Sequence, residues 1–412
     1  MLYLLMAALP AAPGSNLVLA TSGGSPGWLL GPLRFAGVSG ADGPLAGPLF
    51  YAALWVALLL YVVVLRGAHG IRTRVAIGAV VALHVVFLVA PPLLSHDVFS
   101  YIAYSRLGVA NHLNPYTHAP ADVPGDPGFT HAGSIYAVSA YGPLFTLLTY
   151  PLSPLGIPAA FWILKAVAAL SSLGVVALVW KVARRLGRDP LVPALAVGLN
   201  PLVLVHVVGG AHNEALTLLV TMAGVLLWVS ARETAGVAVA TLATGIKASA
   251  GLAVPFLVIG DVRRRLGAVV AVVGALAALG VIAFGSHALD AFSLISSNQD
   301  RTSRFSLPYK TAQLLGALLP GDRLDYRDAV RIAFVVAFAA VFAWLLWRTW
   351  RRLTQPLDAI GWATLAVLLA SAWLVPWYIL WLLPFAAVSR DRRLQLATLA
   401  LCAWMLPIAV PL

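Results

Sequence analysis

The chain has 412 residues, 61% of them hydrophobic and 10% charged, with a formal net charge of +12 and a mean hydropathy of +0.90. That balance excludes an ordinary soluble domain, and apolar runs that are continuous rather than alternating exclude a transmembrane β-barrel. The basic excess sits mostly in short clusters between apolar runs, which marks membrane topology rather than a nucleic-acid surface.

The composition therefore predicts an all-α polytopic membrane protein, a single transmembrane domain over residues 1–412 with roughly 11–13 membrane segments. Residues 1–12 are apolar, too short to span and without the basic region of a signal peptide, so they read as the last turns of a span. Spans follow at 47–65 and 75–94, and then comes the long polar stretch 95–141. Segment 142–157 is apolar but broken by Pro143, Pro151, Pro154 and Gly156, and reads as interfacial. Further spans are expected at 159–180, 190–208, 214–231, 268–285, 329–347, 357–374, 378–389 (short) and 394–411. Segment 236–260 carries Gly245, Lys247, Gly251 and Pro255 and has the same kind of polar connection at both ends, so it reads as a broken, re-entrant hairpin. The single Cys402 lies in an apolar run, so there is no disulfide framework.

Charge orients the chain. Arg66, Arg72 and Arg74; Lys181, Arg184, Arg185 and Arg188; Arg232; Arg263 to Arg265; Arg348, Arg351 and Arg352; and Arg390, Arg392 and Arg393 all fall in short connections. With the hairpin returning to its own side, these clusters share one face, which is the cytoplasmic one. The opposite face receives loops 13–46, 95–141 and 286–328 and most of the 15 acids, including Asp42, Asp97, Glu214, Asp290 and Asp300.

One acid stands out. Asp97, in Ser95-His96-Asp97-Val98-Phe99-Ser100-Tyr101, sits where an apolar run meets the outward loop, and a carboxylate at that boundary must be solvated, paired or used. Phe99, Tyr101 and Tyr104 recur at helical spacing, so 97–107 is expected to be a helix lying in the interface with Asp97 near its N-terminus. There Asp97 is a helix cap, a catalytic base, or both. The same loop offers His96, Arg106, Asn111, His112, His118 and Asp122. A divalent metal on His96, Asp97, His112, His118 and His131 is the alternative, but none of these shows a tight ligand spacing, so no cofactor is expected.

Three cations of the other outward loop, Arg301, Arg304 and Lys310, run against the positive-inside trend. They suit phosphate, or else lipid headgroups or salt bridges to Asp290 and Asp300. Lys247, near the middle of the hairpin, is a fourth candidate for phosphate, whereas Lys165 lies nearer a helix end and is expected to snorkel. The outward turn Gly209-Gly210-Ala211-His212-Asn213-Glu214 directs a polar triple toward the Asp97 cavity or simply caps a helix. Trp373, Pro376, Trp377, Tyr378 and Trp381 form an aromatic belt or a sugar-stacking platform.

Taken together, Ser-His-Asp-Val-Phe-Ser-Tyr (95–101), Asn-Pro-Tyr (114–116), Tyr-Gly-Pro-Leu (141–144), Gly-Ala-His-Asn-Glu (210–214) and Pro-Trp-Tyr (376–378) resemble the polyprenol-phosphate-mannose-dependent α-1,6-mannosyltransferases of actinobacterial envelopes, within the GT-C glycosyltransferase superfamily. The resemblance runs from about residue 20 onward and is strongest over 95–145; a complete first span, which the family leads one to expect, is not seen. It implies a GT-C-like bundle in the bacterial cytoplasmic membrane and a polyprenyl-phosphate sugar donor. A glycan or glycolipid would be the acceptor, with inverting transfer on the outer face, and Asp97 falls on the catalytic acid's position. Asp97 is then expected to be the base. Arg301, Arg304, Lys310 and Lys247 are expected to bind the donor phosphate. His96, Tyr101, His112, Tyr141, His212, Asn213, Glu214, Trp377 and Tyr378 are the expected sugar and acceptor contacts. The rival reading is a transporter or flippase of a polyprenyl-linked sugar. It would place polar groups along a whole path, whereas here they gather on one face.

Overall fold

Helices begin and end where Pro, Gly and Arg interrupt the apolar runs. The computed structural model describes residues 1–11, 15, 17–18, 26–33, 46–289 and 302–409; among these the regular structure is helical, with no strand. Asp42, Asp290, Asn298, Gln299, Asp300 and Arg301 lie outside the described residues, as do most of loop 13–46 and the last residues of the 394–411 segment. The principal helices are α1 Leu2–Ala8, α2 Ala46–Gly67, α3 Thr73–Val89, α4 Asp97–Val109, α5 Pro143–Thr149, α6 Gly156–Arg185, α7 Leu191–Gly198, α8 Glu214–Val229, α9 Glu233–Leu242, α10 Val254–Val258, α11 Val262–Phe284, α12 Leu307–Leu318, α13 Arg323–Trp350, α14 Pro356–Ala370, α15 Ile379–Val388 and α16 Arg392–Met405.

The protein is an all-α polytopic membrane protein, but its segments differ in length from the expected set. Four helical stretches are long and apolar enough to cross a bilayer, a bent pair makes a fifth, and shorter apolar helices of 10–17 residues make up the remainder. Proline explains two of the differences. Helix α3 stops at Val89 rather than 94 because Ala90 precedes Pro91 and is extended, at φ −71° and ψ 156°. The expected span 190–208 is α7 followed by a π-helical stretch, Val203–Gly209, set at 60° to it. Asn200 and Pro201 make that break, with Asn200 Oδ1 accepting from the Leu202 and Val203 amides at 3.0 and 3.3 Å. Helices α11 and α13 have only 11% of their apolar windows buried, so they face lipid, whereas α8, α14 and α15 fill the interior.

Segment 236–260 breaks at its centre. Helix α9 and a 3₁₀ turn lead to Lys247, which is extended at φ −150° and ψ 126°, and a second 3₁₀ turn leads back into α10. The two ends of the segment meet. Arg265 pairs with Glu233 and donates to the carbonyls of Leu257 (3.2 Å) and Ile259 (2.6 Å), and Trp228 Nε1 donates to Leu257 O at 3.0 Å. Helices α8 and α9 approach closely through glycine: a Cβ on Gly224 or Gly236 would lie 2.6 Å from backbone atoms of the other helix. The ends therefore sit beside Arg232 and Arg263, at the arginine-rich end. The tip carries Lys247 to Glu214, at the opposite end of α8, about 24 Å away along its 16 residues.

Loop 95–141 is fastened onto this frame. Helix α4 covers the expected 97–107 but does not lie on a lipid surface. Val98 through Ser105 are all buried, because the helix has no single polar face and packs within the protein, where Ser105 Oγ donates to Thr149 O at 2.8 Å. Its far end is pinned by a bidentate pair, Arg106 to Asp126 at 2.7 and 3.0 Å, with Asn111 and the Gly128 amide also on that carboxylate. At the loop's exit Gly142 N donates to Ile246 O at 3.0 Å, and a Cβ on Gly142 would lie 2.2 Å from Gly245 O. Only glycine lets Tyr141 come down on the hairpin tip.

Candidate active site

Asp97 is the first residue of α4, at the positive end of the helix dipole. Its amide donates to Ser95 Oγ at 3.1 Å, and its carboxylate, 34% exposed, faces His212 Nε2 at 3.5 Å. His212 is completely buried. Its Nδ1 lies 2.6 Å from the His206 carbonyl, which can only accept, so Nδ1 carries the proton. The other nitrogen, Nε2, lies 3.0 Å from Ser95 Oγ, which can donate to it, with the Asp97 carboxylate 3.5 Å away. Trp377 stacks on the imidazole at 3.9 Å and 19° and fixes its plane.

A second lysine holds these pieces in register. Lys165, expected to snorkel, is instead fully buried in α6, and its Nζ donates to the carbonyls of Ala90, Pro91 (3.2 Å) and Gly209 (3.3 Å). Ala90 and Pro91 open the segment leading to Asp97, and Gly209 opens the turn carrying His212, so one amine ties both.

The turn's last residue, Glu214, is also fully buried and pairs with Lys247. The Lys247 Nζ lies within 6.0 Å of the Tyr141 ring centroid, 5.3 Å of Tyr378 and 5.8 Å of Trp381, an aromatic box around a cation. Tyr101 meets Tyr141 edge-on at 4.8 Å and accepts from the Asn213 amide at 3.3 Å. Burial first, and the nearby Asp97 and Glu214 carboxylates next, push the Tyr101 and Tyr141 hydroxyls well above the ordinary phenol range, so both remain protonated donors. Lys247, Tyr378 and Trp381 line one end of a cavity of about 410 Å³ whose remaining wall, with Val335, Phe338 and Trp373, is largely apolar.

The structure thus brings together Asp97, Tyr101, Tyr141, His212, Asn213, Glu214, Lys247, Trp377 and Tyr378. Burial separates four of the expected contacts from the rest: Tyr101, His212, Asn213 and Glu214 are buried, whereas the side chains of Asp97 and Lys247 are 34% and 16% exposed. His96, at the N-cap of α4, packs against Gly133, and His112 lies beyond the other end of α4, about 18 Å along the axis from Asp97. Arg304 and Lys310 are exposed cations over the Phe305 ring, and Arg301 is outside the described residues. Their segment hangs from the far rim of the cavity, where Ser303 N donates to Ala372 O at 2.9 Å. Among the described residues no three His, Cys, Asp or Glu side chains converge as a metal site; His131 stacks on Phe99 at 5.4 Å. Sequence reasoning passed over Ser95 and the true part of Lys165; His206 serves the site through its backbone carbonyl, which any residue would supply and no sequence signal marks.

The fold and this cluster define a class: a multi-pass, all-α membrane protein with a carboxylate–imidazole pair and a caged lysine at the end opposite its arginines. Within it, the chain belongs to the alpha-(1->6)-mannopyranosyltransferase family and is thereby a glycosyltransferase. Residues 14–263 match the family's N-terminal domain, and residues 312–412 match the domain described as MptB C-terminal. The chain is 29% identical over 365 residues to alpha-(1->6)-mannopyranosyltransferase A of Mycobacterium tuberculosis, covering 79% of this chain and 67% of that protein. It is 31% identical over 183 residues to the protein of the same name from Corynebacterium glutamicum, covering 43% of this chain and 37% of the relative. The matched stretches thus span about two thirds and just over one third of those two relatives' lengths. No solved structure matches the chain.

Proposed function

We propose that this protein moves mannose from a polyprenyl-phosphate donor to a hydroxyl of a glycan or glycolipid, on the outer face of the bacterial cytoplasmic membrane and with inversion at the anomeric carbon. The observation that carries the reading is that one turn joins a solvent-reachable carboxylate, Asp97, facing His212, to a caged cation, Lys247, paired with Glu214 two residues further on, and that the lysine opens on an apolar cavity. Asp97 takes the acceptor's proton as its oxygen bonds to the anomeric carbon through an oxocarbenium-like transition state. The bond from that carbon to the phosphate oxygen breaks, and its electron pair leaves with the phosphate. Lys247 neutralises the leaving phosphate, so no acid catalyst and no resident cofactor is required by this scheme. His212 Nε2, 3.5 Å from Asp97, is the next station for the proton. The isoprenoid chain suits the cavity's apolar wall, and the exposed Arg304 and Lys310, on the segment whose Ser303 N donates to Ala372 O beside the cavity, suit attraction of the anionic donor.

Sidedness supports the outer face: the Asp97–Lys247 cluster and the arginine clusters occupy opposite ends of α8. The test is transfer by the purified protein in liposomes, from synthetic polyprenyl-phosphate mannose to an α-mannoside. Mannosylated acceptor is expected from this donor and not from a nucleotide-linked mannose. Movement of the lipid-linked sugar across the bilayer without transfer would replace the enzyme with a transporter.

A further inference from the structure

The Glu214–Lys247 pair is an odd way to build a phosphate site. Glu214 has no exposed surface, one carboxylate oxygen on Lys247, and a second oxygen, Oε2, that is buried without a hydrogen-bond partner among the described residues. A buried carboxylate so incompletely satisfied is costly, and a neutral side chain would orient the lysine without opposing an incoming anion. Lys247, by contrast, is not sealed. Its side chain is 16% exposed, and it has a buried face toward Glu214 and another toward the cavity, framed by Tyr141, Tyr378 and Trp381. One cation is therefore shared between a resident carboxylate and whatever anion enters the cavity.

From this arrangement, and resting on the glycosyltransferase reading above, we infer that Glu214 is a resident competitor for Lys247 that expels the spent lipid phosphate. The donor is a phosphodiester with a single negative charge. When the sugar–oxygen bond breaks, its electron pair stays on the phosphate and the acceptor's proton goes to Asp97, so the product is a phosphomonoester carrying close to two charges. Lys247 alone would hold that product more tightly than the substrate, and release would limit turnover. The Glu214 carboxylate repels the doubly charged product more than the singly charged donor and retakes the ammonium as the product departs.

The experiment is equilibrium binding of polyprenyl monophosphate, with uncharged polyprenol as the blank, to wild type, Glu214→Gln, Lys247→Met and the double variant. Glu214→Gln is expected to tighten binding by about tenfold or more. Lys247→Met weakens binding, and the double variant shows no tightening, because the effect of Glu214 acts through Lys247. In transfer assays Glu214→Gln lowers KM and kcat together. Binding by Glu214→Gln no tighter than wild type, while Lys247→Met weakens it, overturns the competitor and leaves the glycosyltransferase reading standing. Binding unaffected by Lys247→Met removes the phosphate site itself. If Glu214→Gln does not fold, Glu214→Asp, which withdraws the carboxylate by one methylene, must still bind the monophosphate more tightly than wild type. Equal or weaker binding by that variant overturns the inference.

Discussion

Lys165 and Lys247 are both cations in an apolar chain, and the fold uses them in opposite ways. Lys247 faces a cavity and a carboxylate, whereas Lys165 is sealed and spends its hydrogen bonds on three backbone carbonyls. Lys165→Met would strip those carbonyls of a partner, at about 3 kcal/mol or more in total. A clear fall in melting temperature is expected, together with loss of transfer as the Asp97 and His212 segments slip apart; unchanged thermal stability would contradict the role. The sequence marks each of these residues as unusual, because a charge inside an apolar run needs a reason. It does not pair them. Glu214 and Lys247 are 33 residues apart and Lys165 lies 75 from Ala90, distances that only tertiary packing closes. That is why Lys165 reads as a snorkelling residue in the sequence and as a buried clasp in the fold.

At the scale of elements, the hairpin and loop 95–141 do the positioning. The break at Lys247 was readable from Gly245, Gly251 and Pro255, and the return of both hairpin ends is held by Arg265. The kink between α7 and the π-helical stretch was readable in Asn200-Pro201 and the end of α3 in Pro91-Pro92; in both places a window of uniform hydropathy hides the break. Loop 95–141 carries its own pH dependence. Burial would raise the Asp126 pKa, but Arg106, Asn111 and the Gly128 amide outweigh it and hold the carboxyl below its ordinary value. A depressed folded pKa gives stability that is complete above the unfolded value, about 4, and is lost as pH falls through the folded value. The melting temperature of the wild type should therefore fall as the pH drops below about 4. Asp126→Asn should lower the melting temperature at neutral pH and flatten this acid limb. An acid limb of undiminished slope in that variant would remove Asp126 as its source.

The whole molecule is asymmetric. Lipid-facing α11 and α13 enclose an interior whose chemistry is gathered at one end, with an apolar cavity beside it and arginines at the other. A translocation path would need polar groups through the depth of the bundle. A transfer site needs them at one surface, and the Asp97–His212 and Glu214–Lys247 pairs lie together at one end. Acid-lined loops opposite basic connections made this sidedness legible in the sequence, since charge bias is a property of connections rather than of packing. The central claim is that this assembly exists to present Asp97 to an acceptor hydroxyl beside a phosphate held on Lys247. The measurement that tests it most directly is the transfer rate from polyprenyl-phosphate mannose to an α-mannoside for wild type and Asp97→Asn, each with its melting temperature. The account predicts a fall in turnover of about 10²–10⁴-fold with the melting temperature preserved. Near-normal turnover in a folded Asp97→Asn variant would contradict it.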